Sequence, residues 1–202
     1  MRRRQHVNPL GFGFTQRHGG APEIPVGRTL EIEIGCADAQ FLFERARVDP
    51  DRFYVGIEIR DQLVDDVNRR ARSENQPVAG VFAHAMHMGA LIPRGRAERV
   101  YINFPDPWFK SRHHKRRMID RDLALASHAA LAPRGQVLVQ TDVWGIALDA
   151  MAVFDGMDDQ FENAAGPWSF WRGGNPFGAR SWREQHCEED GLPIWRLLYD
   201  RR

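Results

Sequence analysis

At 202 residues, 43% of them hydrophobic, the chain suits one domain with a full-sized core and leaves little room for a second. A formal net charge of +1 hides any local clustering, and two cysteines, Cys36 and Cys187, are too few for a disulfide framework. No apolar run approaches the ~20 residues needed to span a bilayer, and the basic start lacks a following apolar segment of the secretory kind, so the expectation is a cytoplasmic protein without membrane partners. The division expected is a basic N-terminal arm over 1–28 and a single domain over 29–202.

In chain order, Thr29 to Ile34 (TLEIEI) reads as a strand, followed by the turn Gly35 to Ala39 and an apolar helix from Gln40 to Arg47. Phe53 to Ile57 is a second strand. The helix Asp61 to Ser73 follows, with Leu63, Val64, Val67 and Ala71 on one face and Asp61 as its cap. Val78 to Ala83 and Arg99 to Asn103 are the third and fourth strands. Asp120 to Leu131 is a helix opened by acidic residues and stopped at Ala132-Pro133-Arg134-Gly135, before a fifth strand from Gln136 to Thr141. Gly166 to Ala179, rich in Gly, Pro and Trp, reads as a long loop. Alternation of this kind implies a mostly parallel α/β sheet with helices on both faces, which binds ligands at the carboxyl ends of its strands.

Three segments fall on that edge. Gly35-Cys36-Ala37-Asp38-Ala39 follows the first strand, Glu58 the second and Asp106 the fourth. An acidic residue just past a second strand can accept the ribose hydroxyls of an adenosine, although Glu58 can equally cap a loop or pair with Arg60. Asp106 lies between Pro105 and Pro107. Each proline fixes its own φ and pushes the residue before it out of helical geometry, so Asp106 is expected in a rigid extended turn. Seven basic or imidazole residues follow: Lys110, Arg112, His113, His114, Lys115, Arg116 and Arg117. An isolated basic run is usually a solvated face, but one that follows a buried strand and carries Trp108 in its turn is a candidate nucleic-acid footprint.

These residues resemble a known family. Glu33-Ile34-Gly35, Gly56-Ile57-Glu58, Asn103 to Lys110 (NFPDPWFK) with Arg112 to Arg117 (RHHKRR), and Thr141-Asp142 look like the bacterial tRNA (guanine-N7-)-methyltransferases, which are class I S-adenosylmethionine-dependent enzymes. Order and spacing match from about Leu30 to Asp142. Ser181-Trp182-Arg183-Glu184 is similar to the family's Thr-x-Tyr/Phe-Glu element, and Arg4 to Leu10 to the arm of some members. The resemblance implies a Rossmann-like doubly wound fold, mostly parallel with an antiparallel C-terminal strand. It also implies S-adenosyl-L-methionine as cofactor, no metal, and methylation of the guanosine at position 46 in the variable loop of tRNA.

By the same resemblance Asp106 is the catalytic carboxylate. Glu33, Gly35, Glu58, His84 and Asp106 contact the cofactor, Lys110, Asp142, Ser181 and Glu184 handle the guanosine, and Arg112, His113, His114, Lys115, Arg116 and Arg117 hold the tRNA backbone. The chemistry suits these residue types. N7 of guanine has an exposed lone pair at neutral pH and attacks a sulfonium methyl without a strong base, so alignment is the main requirement. A carboxylate beside the purine accepts its N–H groups and offsets the positive charge that develops on the methylated ring.

The chain departs from the family pattern at four places. Ala37 and Ala39 stand where members carry the second and third glycines of Gly-x-Gly-x-Gly, and a Cβ there penalises positive φ and narrows the approach to the cofactor. His84 replaces an acidic residue, and Arg183 replaces an aromatic one. His84 and His87 with His113 and His114 have no tetrahedral ligand spacing and read as solvated or RNA-facing imidazoles rather than a metal site. Cys36 reads as a packing residue, and Trp168, Trp171, Trp182 and Trp195 as core or loop anchors. Two alternatives stay open from sequence alone: a tRNA-binding protein on a methyltransferase scaffold with little or no catalysis, and a dinucleotide-dependent oxidoreductase, which the altered glycine pattern and the basic tail disfavour.

Overall fold

The computed structural model describes residues 8–109 and 116–202. Seven strands form one sheet: β1 (Leu30–Ile34), β2 (Phe53–Glu58), β3 (Val78–Phe82), β4 (Ala97–Asn103), β5 (Leu131–Thr141), β6 (Phe161–Asn163) and β7 (Trp195–Arg201). The helices are α1 (Phe12–Thr15), α2 (Gln40–Val48), α3 (Asp61–Ser73), α4 (Met88–Leu91), α5 (Arg121–Ala130), α6 (Trp144–Asp155) and α7 (Trp182–Glu189), with a 3-10 turn at Ala85–His87 before α4. Strand order is β3-β2-β1-β4-β5-β7-β6, parallel from β3 to β5, with β7 antiparallel to both β5 and β6. Chain direction across the sheet reverses between β1 and β4. There the connections leave for opposite faces and open a crevice at the carboxyl edge.

Strand alternation sorts the two layers. Ile32, Ile34, Val100, Ile102, Val137 and Val139 face α4, α5 and α6, meeting Leu91, Leu123, Ala124, Ala150 and Phe154. On the other face Tyr54, Tyr101, Leu138 and Leu198 meet Phe41, Leu42 and Phe43 of α2 and Val67 and Ala71 of α3. Each fully buried Leu or Phe contributes about 1.5–3 kcal/mol relative to exposure.

A parallel strand covered on both faces normally reads as a near-continuous apolar run. β1 breaks that rule, because Glu31 and Glu33 are both buried on the α2 face. Glu31 is charge-paired where it lies: Arg45 donates to both its oxygens at 3.0 Å, Tyr101 Oη donates at 2.8 Å, and Arg99 and Arg52 add a second and a third cation. Glu33, two residues nearer the carboxyl edge, has no such cations among the described residues.

Several boundaries differ from the sequence expectation. Asp120 is the N-cap of α5, its carboxylate accepting from Leu123 N at 2.8 Å, so the helix proper starts at Arg121. Leu131 already pairs with Ala97 and the next pair is Arg99 with Gln136, so Ala132 to Gly135 bulges out of β5 with Arg134 at φ +64°, rather than separating helix from strand. The N-cap of α3 is Arg60 and makes no side-chain cap, whereas Asp61 opens the helix itself. The expected loop from Gly166 to Ala179 contains no helix or strand. Among the described residues, no helix is long and apolar enough to cross a membrane.

Candidate active site

A cavity of about 570 Å³ opens at the carboxyl edge, walled by the ends of β1, β2 and β4 and by the segments that follow them. Pro9 and Leu10, in the segment before α1, reach its rim. Of the residues singled out from sequence, Glu33, Gly35, Glu58, His84, Asp106, Arg116, Arg117 and Ser181 line this one cavity. Lys110, Arg112, His113, His114 and Lys115 lie outside the described residues.

Glu33 is 3% exposed. Asn103 Nδ2 donates to its Oε1 at 2.8 Å, while the buried Oε2 has no hydrogen-bond partner. Burial disfavours the charged form most; the Asn103 bond opposes that, and the charges of Asp38 and Glu58 reinforce it, so the carboxyl is pushed up to about 8. A carboxylate so placed takes a cation readily. Beside it, burial and the same acidic neighbours push the Cys36 thiol well above its usual range. Cys36 packs over Gly56, where an added Cβ would lie 2.4 Å from the sulfur, which fits a packing role.

The turn after β1 keeps a glycine-like shape without the glycines. Gly35, Ala37 and Ala39 sit at φ +73°, +51° and +56°, so two alanines occupy the left-handed region at the positions where the resemblance calls for glycine. The Ala37 N–H donates to Glu58 Oε2 at 3.0 Å, which holds the turn against β2. Left-handed backbone costs an L-residue about 1–2 kcal/mol, and glycine loses about 0.5–1 kcal/mol more chain entropy on folding. Ala37→Gly should therefore raise stability by up to about 1 kcal/mol, seen as a Tm increase of about 2–4 °C. An unchanged or lower Tm would show that the turn bears no strain at Ala37.

Glu58 is 3% exposed and its oxygens are occupied. Besides Ala37, they accept the Arg60 N–H at 3.0 Å and the Arg60 guanidinium at 2.8 and 2.9 Å. Arg60 thus stands in the cavity among acidic groups, its guanidinium held protonated first by Glu58 and further by the field of Asp106. His84 caps the 3-10 turn: its Nδ1 accepts from Met86 N at 3.1 Å, which puts the proton of the neutral ring on Nε2. Burial first, then His87, lowers its pKa, so the ring is neutral at physiological pH.

The Asp106 turn is pinned at both ends. Phe104 takes φ +48° and donates its N–H to Gln140 O at 2.7 Å, and Trp108 takes φ +41°. Positive φ at two aromatic residues marks stored strain. Arg117 Nε donates to Pro107 O at 3.1 Å and its guanidinium pairs with Asp149, while the Arg116 guanidinium lies over the Trp108 ring at 5.0 Å. These two arginines of the basic run therefore fold back against the turn.

The C-terminal element is arranged differently from its sequence reading. Ser181 is the N-cap of α7, its Oγ accepting from Glu184 N at 3.2 Å. Glu184 lies beneath the helix, fully buried, and its carboxylate accepts from Arg196 at 2.8 Å, Gln140 at 2.9 Å and Asn175 at 3.2 Å. Asp142 stands off the cavity wall, paired with Arg183. Trp182 is exposed on the rim, with Nε1 donating to Asp38 at 3.1 Å across the mouth. Sequence reasoning missed Asn103, Gln140 and Arg196 as a group. The available signal was a polar residue flanking the apolar run of each of three strands: Asn103 after Val100 to Ile102, Gln140 after Val137 to Val139 and Arg196 before Leu197 and Leu198. Among the described residues, no group of His, Cys, Asp and Glu could hold a metal ion.

Comparison with known proteins agrees with this layout. Residues 28–197 match a family described as "Putative methyltransferase". The tRNA (guanine-N(7)-)-methyltransferase of Synechococcus sp. strain WH7803 is 38% identical over 98% of this chain and 87% of its own length. That of Synechococcus elongatus is 32% identical over 100% of this chain and 97% of its own. Among solved structures, the 16S rRNA methyltransferase KamB superposes with a TM-score of 0.59 at 13% identity over 86% of this chain and 87% of its own, a likeness of fold. With this doubly wound sheet, a cavity at its switch point and full-length relatives above 30% identity, the chain belongs to the tRNA (guanine-N7-)-methyltransferase family.

Proposed function

We propose that the chain transfers the methyl group of S-adenosylmethionine to N7 of a guanine in tRNA, the guanosine at position 46 of the variable loop. The observation that carries this reading is the unpartnered oxygen of Glu33, buried on the wall of the same cavity that Asp106 faces. When bound, the cofactor supplies a methyl group on a cationic sulfonium. Glu33 would hold a positive end of it. Glu58 would accept its ribose hydroxyls as Arg60 yields an oxygen, and His84 would offer Nε2–H to the adenine. The carboxyl groups of Glu33, Asp38 and Glu58 gathered at the end of β1 and β2 suit a cationic ligand better than a dinucleotide pyrophosphate.

Asp106 then orients the incoming guanine by accepting its ring and amino N–H groups, and its charge offsets the cation forming on the ring. By the resemblance Ser181, Asp142 and Lys110 serve the guanosine, Asp142 on parting from Arg183, and Glu184 serves through the placement of Ser181. Calorimetric titration with S-adenosylhomocysteine and with NAD tests the ligand class. Binding of the first alone is the expected result, and binding of NAD alone would reject the reading.

The basic run gives a further expectation. If Arg112 and Lys115 contact phosphates, the Arg112→Ala, Lys115→Ala double variant should lower the slope of log affinity against log salt by up to about 0.7–0.9 per charge, alike for different tRNAs. An unchanged slope would make both residues a solvated face. Arg117→Ala should act on stability instead, since that side chain pairs with Asp149.

A further inference from the structure

We infer that Gln140 is a positioning residue that couples the two halves of the site, so that filling the cavity beside Glu33 and seating α7 reinforce each other. The inference rests on the methyl-transfer reading and adds a thermodynamic link between cofactor and tRNA. Its basis is a continuous chain of hydrogen bonds under the carboxyl edge. Asn103 Nδ2 donates to Glu33 at 2.8 Å, and Asn103 Oδ1 accepts from Gln140 Nε2 at 2.9 Å. The same Nε2 donates to Glu184 at 2.9 Å, and Gln140 Oε1 accepts from Arg196 Nε at 2.9 Å. Asn103, Gln140 and Arg196 are direct neighbours across β4, β5 and β7, so their side chains share one face. Gln140 is fully buried and both atoms of its amide are used. Its main-chain carbonyl also holds Phe104 at the start of the Asp106 turn.

The far end of the chain carries α7. Glu184 and Cys187 are the only buried residues of α7, so the buried part of the seat of this helix, and of Ser181 at its cap, includes the Glu184 carboxylate, beside more exposed bonds from Gln185 to Glu44 and from Trp182 to Asp38. The near end changes when a cation meets Glu33. A more fully charged Glu33 polarises the Asn103 amide, which in turn accepts more strongly from Gln140, and bonds in such chains strengthen one another. A ligand that stabilises the ordered chain at one end lowers the cost of ordering the other, and the coupling is reciprocal.

The test measures S-adenosylhomocysteine binding to the full chain by calorimetry, with and without saturating tRNA. In the wild type tRNA should tighten binding by at least about fivefold. In Gln140→Leu, of similar volume, the ratio should fall to within about twofold of unity while S-adenosylhomocysteine still binds. A general loss of stability would weaken both measurements without erasing their ratio. Hydrogen exchange on the wild type needs no variant: S-adenosylhomocysteine alone should increase protection of amides in α7. A wild-type ratio of one, an unaltered ratio in Gln140→Leu, or no change in α7 protection would each overturn the coupling while leaving the methyl-transfer reading in place. Absence of any S-adenosylhomocysteine binding would overturn both.

Discussion

Replacing Asp106 with alanine should lower methyl transfer to tRNA by about 100-fold or more, with tRNA affinity and Tm nearly unchanged. The side chain stands on a turn that is fixed by Pro105 and Pro107 and by the Phe104 bond to Gln140, none of which the substitution removes. On the proposed mechanism the loss is of the group that orients the guanine and balances its new charge. Such a loss should appear in kcat rather than in KM, because the charge exists only as the methyl moves. Asp106→Asn should recover part of the orienting role and little of the charge. Near-wild-type turnover by the alanine variant would remove Asp106 from the chemistry.

Glu33→Gln should move stability and cofactor affinity in opposite directions. In the folded protein the Glu33 carboxyl titrates near 8, against an ordinary value of 4.5. The native state therefore holds this proton more tightly than the unfolded chain. Its contribution is fully present below about pH 4.5 and is lost progressively as pH rises towards 8. The amide cannot ionise and keeps the oxygen that accepts from Asn103. The variant should be more stable than wild type near neutral pH, on the order of a kcal/mol or more, with the gap closing towards pH 4.5. Cofactor affinity should fall by about 30-fold or more, the lower end for removing one partner of a buried charge pair. Wild-type affinity should rise about tenfold per unit between pH 6 and 8, one proton leaving per cofactor bound, and this slope should vanish in Glu33→Gln. Calorimetry in buffers of different ionisation enthalpy counts that proton. A pH-independent wild-type affinity would mean that Glu33 does not meet the cation.

Much of this architecture was legible in the sequence because it is written in local periodicity. β1, β2 and β3, the apolar face of α3, and the placing of Gly35, Glu58 and Asp106 after strand ends follow from alternation and punctuation. The sequence reading starts β5 only at Gln136, because Pro133 and Gly135 normally end an element, whereas here they form a bulge beside Ala97 and Arg99 and the strand begins at Leu131. The long-range features were not legible. That Glu58 would also hold the Ala37 N–H, or Glu184 turn under α7 towards Arg196, depends on groups brought together only by the fold, whereas the pairing of Glu58 with Arg60 was one of the readings that the sequence left open. The alanine turn shows the opposite case: the left-handed conformation survived the loss of two glycines, because Glu58 and the start of α2 hold the turn from both sides.

Methylation at a single guanosine can be read from two tRNA transcripts, one carrying guanosine at position 46 and one carrying adenosine there. Each is incubated with the protein and S-adenosylmethionine, digested to nucleosides and analysed by mass spectrometry. Close to one 7-methylguanosine per molecule is expected in the first transcript, none in the second, and none from either with Asp106→Ala. Tight binding of both transcripts with no 7-methylguanosine in either would contradict methyl transfer and leave a tRNA-binding protein on a methyltransferase scaffold.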